Sequence, residues 1–148
     1  MIITQSYFNK NLKKNFIFEK FPKIAVAVSG GPDSMALVFL LNNWILKKNG
    51  SLTALIVDHQ IRKDSNLEAK SIKRYLDKNK IKSKIFKVDK KNVIKKSMKE
   101  ARKNRFNQLF NFCNRNNIFH LFVGHHSDDN LETYLLRKLA GSNFEGLR

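Results

Sequence analysis

The chain has 148 residues, 42% of them hydrophobic, with 29 Lys and Arg against 12 Asp and Glu and a net charge of +17. This length is enough for one domain with a sizeable core, and the hydrophobic content excludes general disorder. Because Cys113 is the single cysteine, the chain cannot form an internal disulfide or a paired-cysteine metal or redox site.

Residues 1–22 come before the first predicted strand and are expected to form a helical extension that lies on the domain. Large apolar side chains are spread among basic residues here, namely Tyr7, Phe8, Leu12, Phe16 and Phe18. The domain itself is expected to run from residue 23 to residue 148.

Four runs rich in β-forming residues recur along the chain, and each precedes a segment with helical spacing. The predicted strands are Ile24–Val28, Leu52–Val57, Lys84–Val88 and His120–Val123. The predicted helices are Met35–Leu46, Ser65–Asn79, Asn92–Asn116 and Asp129–Gly141. This alternation predicts an α/β fold, a doubly wound parallel sheet with helices on both faces.

Two of the predicted helices begin with the pattern of a capping box, at Ser65–Glu68 and at Asp129–Glu132. Apolar residues then recur at helical spacing, which predicts that one face of each helix packs on the sheet. The expected core residues are Leu67, Ile72, Tyr75 and Leu76 in the earlier helix, and Leu131, Leu135, Leu136 and Leu139 in the later one.

The segment Ser29–Ser34 joins the first predicted strand to the first predicted helix, Met35–Leu46, and has the features of a phosphate-binding turn. Gly30 and Gly31 lack the Cβ atoms that would keep a polyanion away from backbone N–H groups, and a helix N-terminus attracts anions. No lysine follows the glycines, so this is not the common phosphate loop. The alternative is an ordinary turn with Asp33 or Ser34 as the helix cap.

Further polar residues follow other predicted strands, at the edge where an open α/β sheet binds its ligands. Asp58 and His59 follow the second strand, and His125 and His126 follow the fourth. A zinc site is disfavoured because no third and fourth ligand stand at suitable spacing. The two adjacent histidines either hydrogen-bond phosphate or neighbouring carboxylates, or are ordinary, partly buried histidines.

Carboxylates gather at the same predicted edge. If the first and fourth strands are neighbours, Asp33 comes close to Asp129 and Glu132. One or two carboxylates, together with phosphate oxygens, are the usual ligands of Mg²⁺ at a phosphate site. The alternative for Asp129 and Glu132 is a reciprocal helix cap, and the two roles can coexist.

The turn sequence SGGPDS resembles the SGGxDS motif of the PP-loop ATP pyrophosphatases, which cleave ATP between its α and β phosphates. With further blocks it closely resembles the N-terminal catalytic domain of bacterial tRNA(Ile)-lysidine synthases. In chain order these blocks are Val57–Arg62, Ser65 with Glu68 and Ala69, Glu100–Phe106, Gly124–Thr133, Arg137–Ser142 and Glu145–Arg148. The sequence departs from the family pattern at Gln60, where glycine is usual, and at Phe106, where tyrosine is usual. Neither departure removes a charged group.

The resemblance implies a fold like that of the adenine nucleotide α hydrolases and a tRNA-modifying reaction. In that family ATP adenylates C2 of the wobble cytidine in an isoleucine tRNA with a CAU anticodon, and the amino group of lysine then displaces AMP to form lysidine. The resemblance thus implies ATP and Mg²⁺ as cofactors, and tRNA(Ile) and L-lysine as partners. It also implies that the catalytic domain is truncated at its C-terminal end.

The resemblance also implies roles for individual residues. ATP would be bound by Ser29, Gly30, Gly31, Pro32, Asp33, Ser34, Asp58, His59, His125 and His126. Mg²⁺ would be held by Asp33 and Asp129, while Glu132 would position metal-bound water or the incoming amine. Arg102 and Arg105 would contact phosphate or the flipped cytidine and complete the catalytic set.

The positive charge favours a polyanionic partner such as nucleic acid. However, 22 of the 29 basic residues are lysine, in a chain that is also rich in Asn, Ile and Phe, so a general lysine bias explains the charge equally well. The longest apolar stretch, Met35–Leu46, is too short to span a bilayer, and no signal peptide is evident. A cytoplasmic location without a membrane partner is therefore expected.

Three other functions compete with the synthase. A tRNA thiolase of the same fold is the nearest, although members that use cysteine pairs or an iron–sulfur cluster need more than Cys113. Amidotransferase-type relatives such as GMP synthetase share the turn motif but are not expected to carry the later blocks. A noncatalytic module would bind ATP without releasing pyrophosphate.

Overall fold

The computed structural model describes residues 3–58, 63–87, 98–127 and 130–137, and of residues 98–104, 125–127 and 130–137 it describes only the backbone. Helices and strands alternate from α1 to β4, and β5 follows β4 directly. In chain order the elements are α1 (Gln5–Asn15), β1 (Lys23–Val28), α2 (Pro32–Leu46), β2 (Ser51–Asp58), α3 (Ser65–Lys78), β3 (Lys82–Lys87), α4 (Met98–Arg115), β4 (His120–Ser127) and β5 (Asn130–Arg137).

The strands form one sheet in the order β3-β2-β1-β4-β5. β1 pairs in parallel with both β2 and β4, so Ala27 lies beside Leu55 on one side and Val123 on the other. β3 extends the parallel part beyond β2, and β5 pairs antiparallel with β4. The first and fourth strands are therefore neighbours, and the topological switch point lies between them.

Helices cover both faces of the sheet, which confirms the predicted doubly wound architecture. Alternate residues of β1 point to opposite sides: Ile24, Val26 and Val28 pack with α1, α2 and α3, and Ala25 packs with α4. The first face includes the fully buried Leu41, Leu76 and Phe122. The second includes Leu109, Leu121 and Cys113, which is 2% exposed.

The segment before β1 contains α1 and an extended stretch that packs on the first face. Leu12 is 4% exposed, and Phe8, Phe16 and Phe18 are partly buried against the same cluster. Thr4 begins the helix by accepting a hydrogen bond from the Tyr7 amide at 3.2 Å. Residues 3–22 are thus attached to the sheet by apolar contacts.

The buried face of α3 differs from the predicted apolar stripe. Ala69 and Leu76 are buried and Ile72 packs partly on the core, but Leu67 and Tyr75 are 65% and 53% exposed. The face that packs on the core consists of Ala69, Ile72 and Leu76. This face is narrow, and the other two residues lie outside it. The predicted capping box is also not formed, because the cap residue is Asp64, whose side chain makes no capping hydrogen bond.

The assignment of the α3 faces predicts unequal effects of two conservative substitutions. Leu67→Ala should change the free energy of unfolding by less than about 0.5 kcal/mol, as exposed substitutions usually do. Ile72→Val removes a packed methyl group and should cost about 0.5–1.5 kcal/mol. Urea unfolding followed by circular dichroism measures both values, and a larger loss for Leu67→Ala would contradict the assignment.

The predicted helix from Asp129 to Gly141 is wrong over residues 130–137, where the structure has the strand β5. The spacing of Leu131 and Leu135 fits a strand as well as a helix, since a separation of four is also even, and Thr133 and Tyr134 favour strands. Pairing with β5 also supplies hydrogen-bond partners along the outer side of β4. The proposed cap residue Asp129 lies outside the described residues.

Other boundaries differ less. β4 continues to Ser127, so His125 and His126 lie within the strand rather than after it. α4 covers the later part of the predicted helix, and residues 92–97 are outside the described range. None of the helices in the described ranges is long and apolar enough to cross a membrane.

Candidate functional site

The turn between β1 and α2 has a backbone that glycine makes possible. Gly30 has φ +89°, a conformation that other residues rarely adopt. Gly31 is the cap residue of α2, with φ −68° and ψ 159°, and no side chain caps this helix end. Pro32 follows at the first helical position, where its missing N–H is no loss. The structure thus gives the cap to Gly31, not to Asp33 or Ser34.

Two serine hydroxyl groups hold the turn together. Ser34 is 3% exposed and donates a hydrogen bond to the Gly31 carbonyl at 3.0 Å. Ser29 donates to the Ser34 hydroxyl at 3.3 Å and accepts from the Gly31 amide at 3.4 Å. Because these bonds are internal to the turn, its shape is set before any ligand binds.

Ile72 of α3 packs directly over this turn. A Cβ atom added to Gly30 would lie 2.6 Å from Ile72 Cδ1, closer than real Cβ atoms come to a neighbour. Gly30 is therefore required by its positive φ, and a larger residue there would also displace the end of the Ile72 side chain. α3 supports the side of the turn that faces away from β4.

β4 approaches the same turn from the other side. A Cβ atom on Gly124 would lie 3.6 Å from Ser34 Cα and 3.6 Å from Leu37 Cδ2, which is ordinary contact distance. Gly124 therefore lies against the first turn of α2. The residues after Val123 on β4 and the turn after β1 belong to one region of the sheet's carboxyl edge, as expected for neighbouring strands.

Asp33 and Asp58 are acidic residues at this edge whose side chains the structure describes. Asp33 is in the first turn of α2 and is half-buried, where its charge is favourable to the helix dipole. Asp58 ends β2, the parallel neighbour of β1, and is 2% exposed. Asp33 is thus partly exposed beside the turn, while Asp58 lies mostly inside the protein.

The predicted arginines lie on α4. Since β4 follows this helix and starts at the amino edge of the sheet, the early turns with Arg102 and Arg105 lie toward the carboxyl edge. Arg105 is half-buried, and its guanidinium carbon lies 5.2 Å from the centroid of the Phe106 ring. Of Arg102, the structure describes the backbone alone.

The remaining predicted site residues are placed only in part. On the antiparallel pair of β4 and β5, the Cα atoms of His125 and Glu132 are register partners, and those of His126 and Leu131 are the next pair. The backbone thus brings His125 and Glu132 together. His59 and Asp129 lie outside the described residues.

Two residues of the site were not singled out from the sequence. Gly124 entered the sequence analysis only as part of the block Gly124–Thr133. A glycine within a strand often marks a close approach of another backbone, and this signal could have identified it. Ile72 was assigned to the general core, and no local pattern signals that its methyl group reaches a turn more than forty residues earlier in the chain. In the described residues, no group of three or more His, Cys, Asp or Glu side chains could hold a metal ion.

Comparison with known proteins adds to this geometry. Residues 4–148 match the family model described as the PP-loop domain. The chain is 36% identical over 140 residues to a tRNA(Ile)-lysidine synthase of Orientia tsutsugamushi, covering 95% of this chain and 32% of that protein. It is 42% identical over 127 residues to the tRNA(Ile)-lysidine synthase of Wolbachia pipientis, covering 84% and 30%. The chain therefore spans about a third of the length of the curated relatives it matches.

A solved structure shares the fold. The U34-tRNA thiolase NcsA from Methanococcus maripaludis, determined with its 4Fe-4S cluster, aligns with a TM-score of 0.67 and 20% sequence identity. The alignment covers 84% of this chain and 45% of that one. At this identity the likeness establishes the α/β fold and nothing more.

Proposed function

Since this chain belongs to the PP-loop domain family, we propose that it forms the ATP-consuming part of a tRNA(Ile)-lysidine synthase. The similarity to synthases of that name supports the assignment. In the proposed reaction, the oxygen on C2 of the wobble cytidine attacks the α-phosphorus of ATP and pyrophosphate leaves. The amino nitrogen of lysine then bonds to C2, and AMP leaves with that oxygen.

The observation that carries the proposal is the turn at Gly30 and Gly31, held between α3 and β4. The positive φ of Gly30 and the helix start at Gly31 leave backbone N–H groups without a side-chain cap at the positive end of α2. This arrangement stabilises phosphate oxygens without a lysine. We assign Ser29–Ser34 to the phosphates of ATP, in keeping with the ATP use of the family.

Mg²⁺ enters this reaction as part of the MgATP substrate, and Asp33 suits one of its ligand positions. A half-buried carboxylate in the first turn of α2 is the type of oxygen ligand that Mg²⁺ uses beside phosphates. Asp129 is our proposal for a second carboxylate. Held by these carboxylates, Mg²⁺ would supply positive charge beside the departing pyrophosphate.

Other residues at the carboxyl edge complete the proposed site. We assign His125 and His126 to the phosphates, and Asp58 and His59 to the border of the adenosine pocket. Glu132, whose Cα atom is paired with that of His125, would position metal-bound water or the lysine amine. Arg102 and Arg105, on the early turns of α4, would meet phosphate or the cytidine.

The experiment that tests the function is an assay of pyrophosphate release from ATP by this chain. Isoleucine tRNA with a CAU anticodon and lysine are each supplied or withheld, and the tRNA is digested and examined by mass spectrometry. We expect pyrophosphate release to require the tRNA, and lysidine formation to require both the tRNA and lysine. ATP binding without release would indicate a noncatalytic module, and a sulfur-containing nucleoside would indicate a thiolase; either result would overturn the proposal.

The net charge of +17 predicts a salt dependence of tRNA binding. Between about 50 and about 200 mM salt the affinity should fall about tenfold or more, because each neutralised phosphate releases counterions. Filter binding over a salt series measures the slope. A flat series would show that the basic surface does not contact the RNA backbone.

A further inference from the structure

A cleft lies at the amino edge of the sheet, at the opposite end from the phosphate-binding turn. Its walls come from the end of α1, the stretch before β1 and the end of α2, and its volume is about 460 Å³. α2 begins at the turn and ends at this cleft, so the helix separates the two sites by its length, roughly 22 Å for fifteen residues at 1.5 Å each. We call it the amino-edge cleft.

The floor of the amino-edge cleft is apolar and aromatic. Phe16, Phe18 and Trp44 all line it. The Phe18 ring lies 4.5 Å from Trp44 and 4.6 Å from His120, measured between ring centroids. His120 Nε2 lies 3.2 Å from the Ile17 carbonyl oxygen, which attaches this stretch to β4. The floor is therefore a packed part of the fold.

The rim of the cleft is basic. Lys13, Lys20, Lys47 and Lys48 line it, and all four are exposed. In the part of the chain that the structure describes, none of them forms an ion pair.

Glu19 is the acidic residue of the lining, and it faces inward rather than toward these lysines. One of its carboxylate oxygens accepts a hydrogen bond from the Lys23 amide at 2.9 Å. The other lies 3.9 Å from His120 Nε2. Within the described residues, the four lysines of the rim therefore keep their positive charge without an ion-pair partner.

From this arrangement we propose that the amino-edge cleft binds a short segment of single-stranded RNA. Several lysines around one opening suit several phosphates better than one, and an apolar floor offers contact to a base or sugar. The volume is within the range of sites that bind small ligands and accommodates one nucleotide of the segment. Lysine abundance alone would not support this inference, but three chain segments place their lysines around one aromatic cavity.

This inference goes beyond the proposed function, because the cleft lies away from the turn that would bind ATP. It can also be tested separately from the proposed function. RNA binding at the cleft needs neither ATP nor lysine, and pyrophosphate release at the turn needs no residue of the cleft floor. The test below is therefore carried out without ATP.

Trp44 provides a local probe, since it is the single tryptophan of the chain and lines the cleft. A short oligouridylate is titrated against the intrinsic fluorescence of the protein. We expect a saturable change in Trp44 emission, weakened as salt rises. Uridine monophosphate, tested in parallel, should bind at least about tenfold more weakly because it offers one phosphate.

Lys47→Glu with Lys48→Glu reverses two charges of the rim and should weaken the fluorescence-detected binding about tenfold or more. The matched control is Lys70→Glu with Lys78→Glu, two exposed lysines of α3 outside the cleft lining. This control should change the affinity by less than about threefold, because salt screens the effect of exposed charges that lie far from the binding site. Circular dichroism verifies that both variants are folded.

Three results would overturn the inference. Trp44 emission that does not respond to the oligonucleotide would show that RNA does not reach the cleft. Equal losses in the two charge-reversal variants would assign the binding to overall charge. Uridine monophosphate binding as tightly as the oligonucleotide would make the cleft a site for free nucleotides and not for an RNA segment.

Discussion

Asp33→Asn is expected to lower tRNA-dependent AMP formation by about 100-fold or more, which is the scale of losing one preorganised charge at a reacting phosphate. The substitution keeps the size of the side chain and removes the negative charge that we assign to Mg²⁺. Asp33 is half-buried in the first turn of α2, so the folded state should lose only about 0.3–1 kcal/mol of helix-dipole stabilisation. AMP release and thermal unfolding, measured on the same preparation, separate the two effects.

The control for this variant is Asp77→Asn. Asp77 pairs with Lys73 at 3.6 Å on α3, and both side chains are about half exposed. Loss of this exposed ion pair should change neither AMP release nor thermal unfolding appreciably. Asp129→Asn should behave as Asp33→Asn does if both carboxylates hold the metal. Full turnover in both active-site variants would refute the assignment of the Mg²⁺ ligands.

Gly30→Ala is expected to destabilise the protein by about 3 kcal/mol, from the positive φ and from overpacking. The backbone of Gly30 has φ +89°, and the new methyl group would lie 2.6 Å from Ile72 Cδ1. The end of the Ile72 side chain can rotate away from the new methyl group, but the positive φ is unfavourable for alanine. The backbone of the turn should therefore shift, and MgATP binding should weaken as well. Urea unfolding and the thermal shift produced by MgATP measure the two losses.

Gly31→Ala is the matched control for the neighbouring position. Gly31 has φ −68°, and its added Cβ would lie 3.6 Å from Ser29 Oγ, so the cost should be about 1 kcal/mol or less, that of alanine at a cap. Combining Gly30→Ala with Ile72→Ala separates conformation from packing. If Gly30→Ala lowers the free energy of unfolding as much in the Ile72→Ala variant as in the unchanged protein, packing against Ile72 does not contribute to the loss.

The sequence and the structure agree best where the signal is local. The strand before the turn, the paired glycines and the following apolar helix are contiguous in the chain, and each was predicted from residues a few positions apart. The structure confirms β1, α2 and the doubly wound sheet. The assignment of ATP and Mg²⁺ to particular residues stays a prediction, and two of those residues, His59 and Asp129, lie outside the described residues.

Agreement is weaker where a local pattern allows two outcomes. Leu131 and Leu135 satisfy both helical and strand spacing, and the open side of β4 decides in favour of β5. On α3 a broad apolar stripe was predicted, but contact with the sheet selects Ala69, Ile72 and Leu76 and leaves Leu67 exposed. In both cases contacts with other parts of the sheet, and not the pattern within the segment, determine the outcome.

By itself the sequence determined the alternation of strands and helices from β1 to β4, the glycine turn after β1 and the strong positive charge. These properties depend on composition and on spacings of two to four residues, which any stretch of chain displays before it folds. Only the tertiary structure decided that β1 lies beside β4 and that Ile72 covers Gly30. It also decided that four lysines surround one aromatic cleft. Such contacts join residues far apart in sequence and arise when the sheet pairs and the helices bury their apolar faces, so no local pattern contains them.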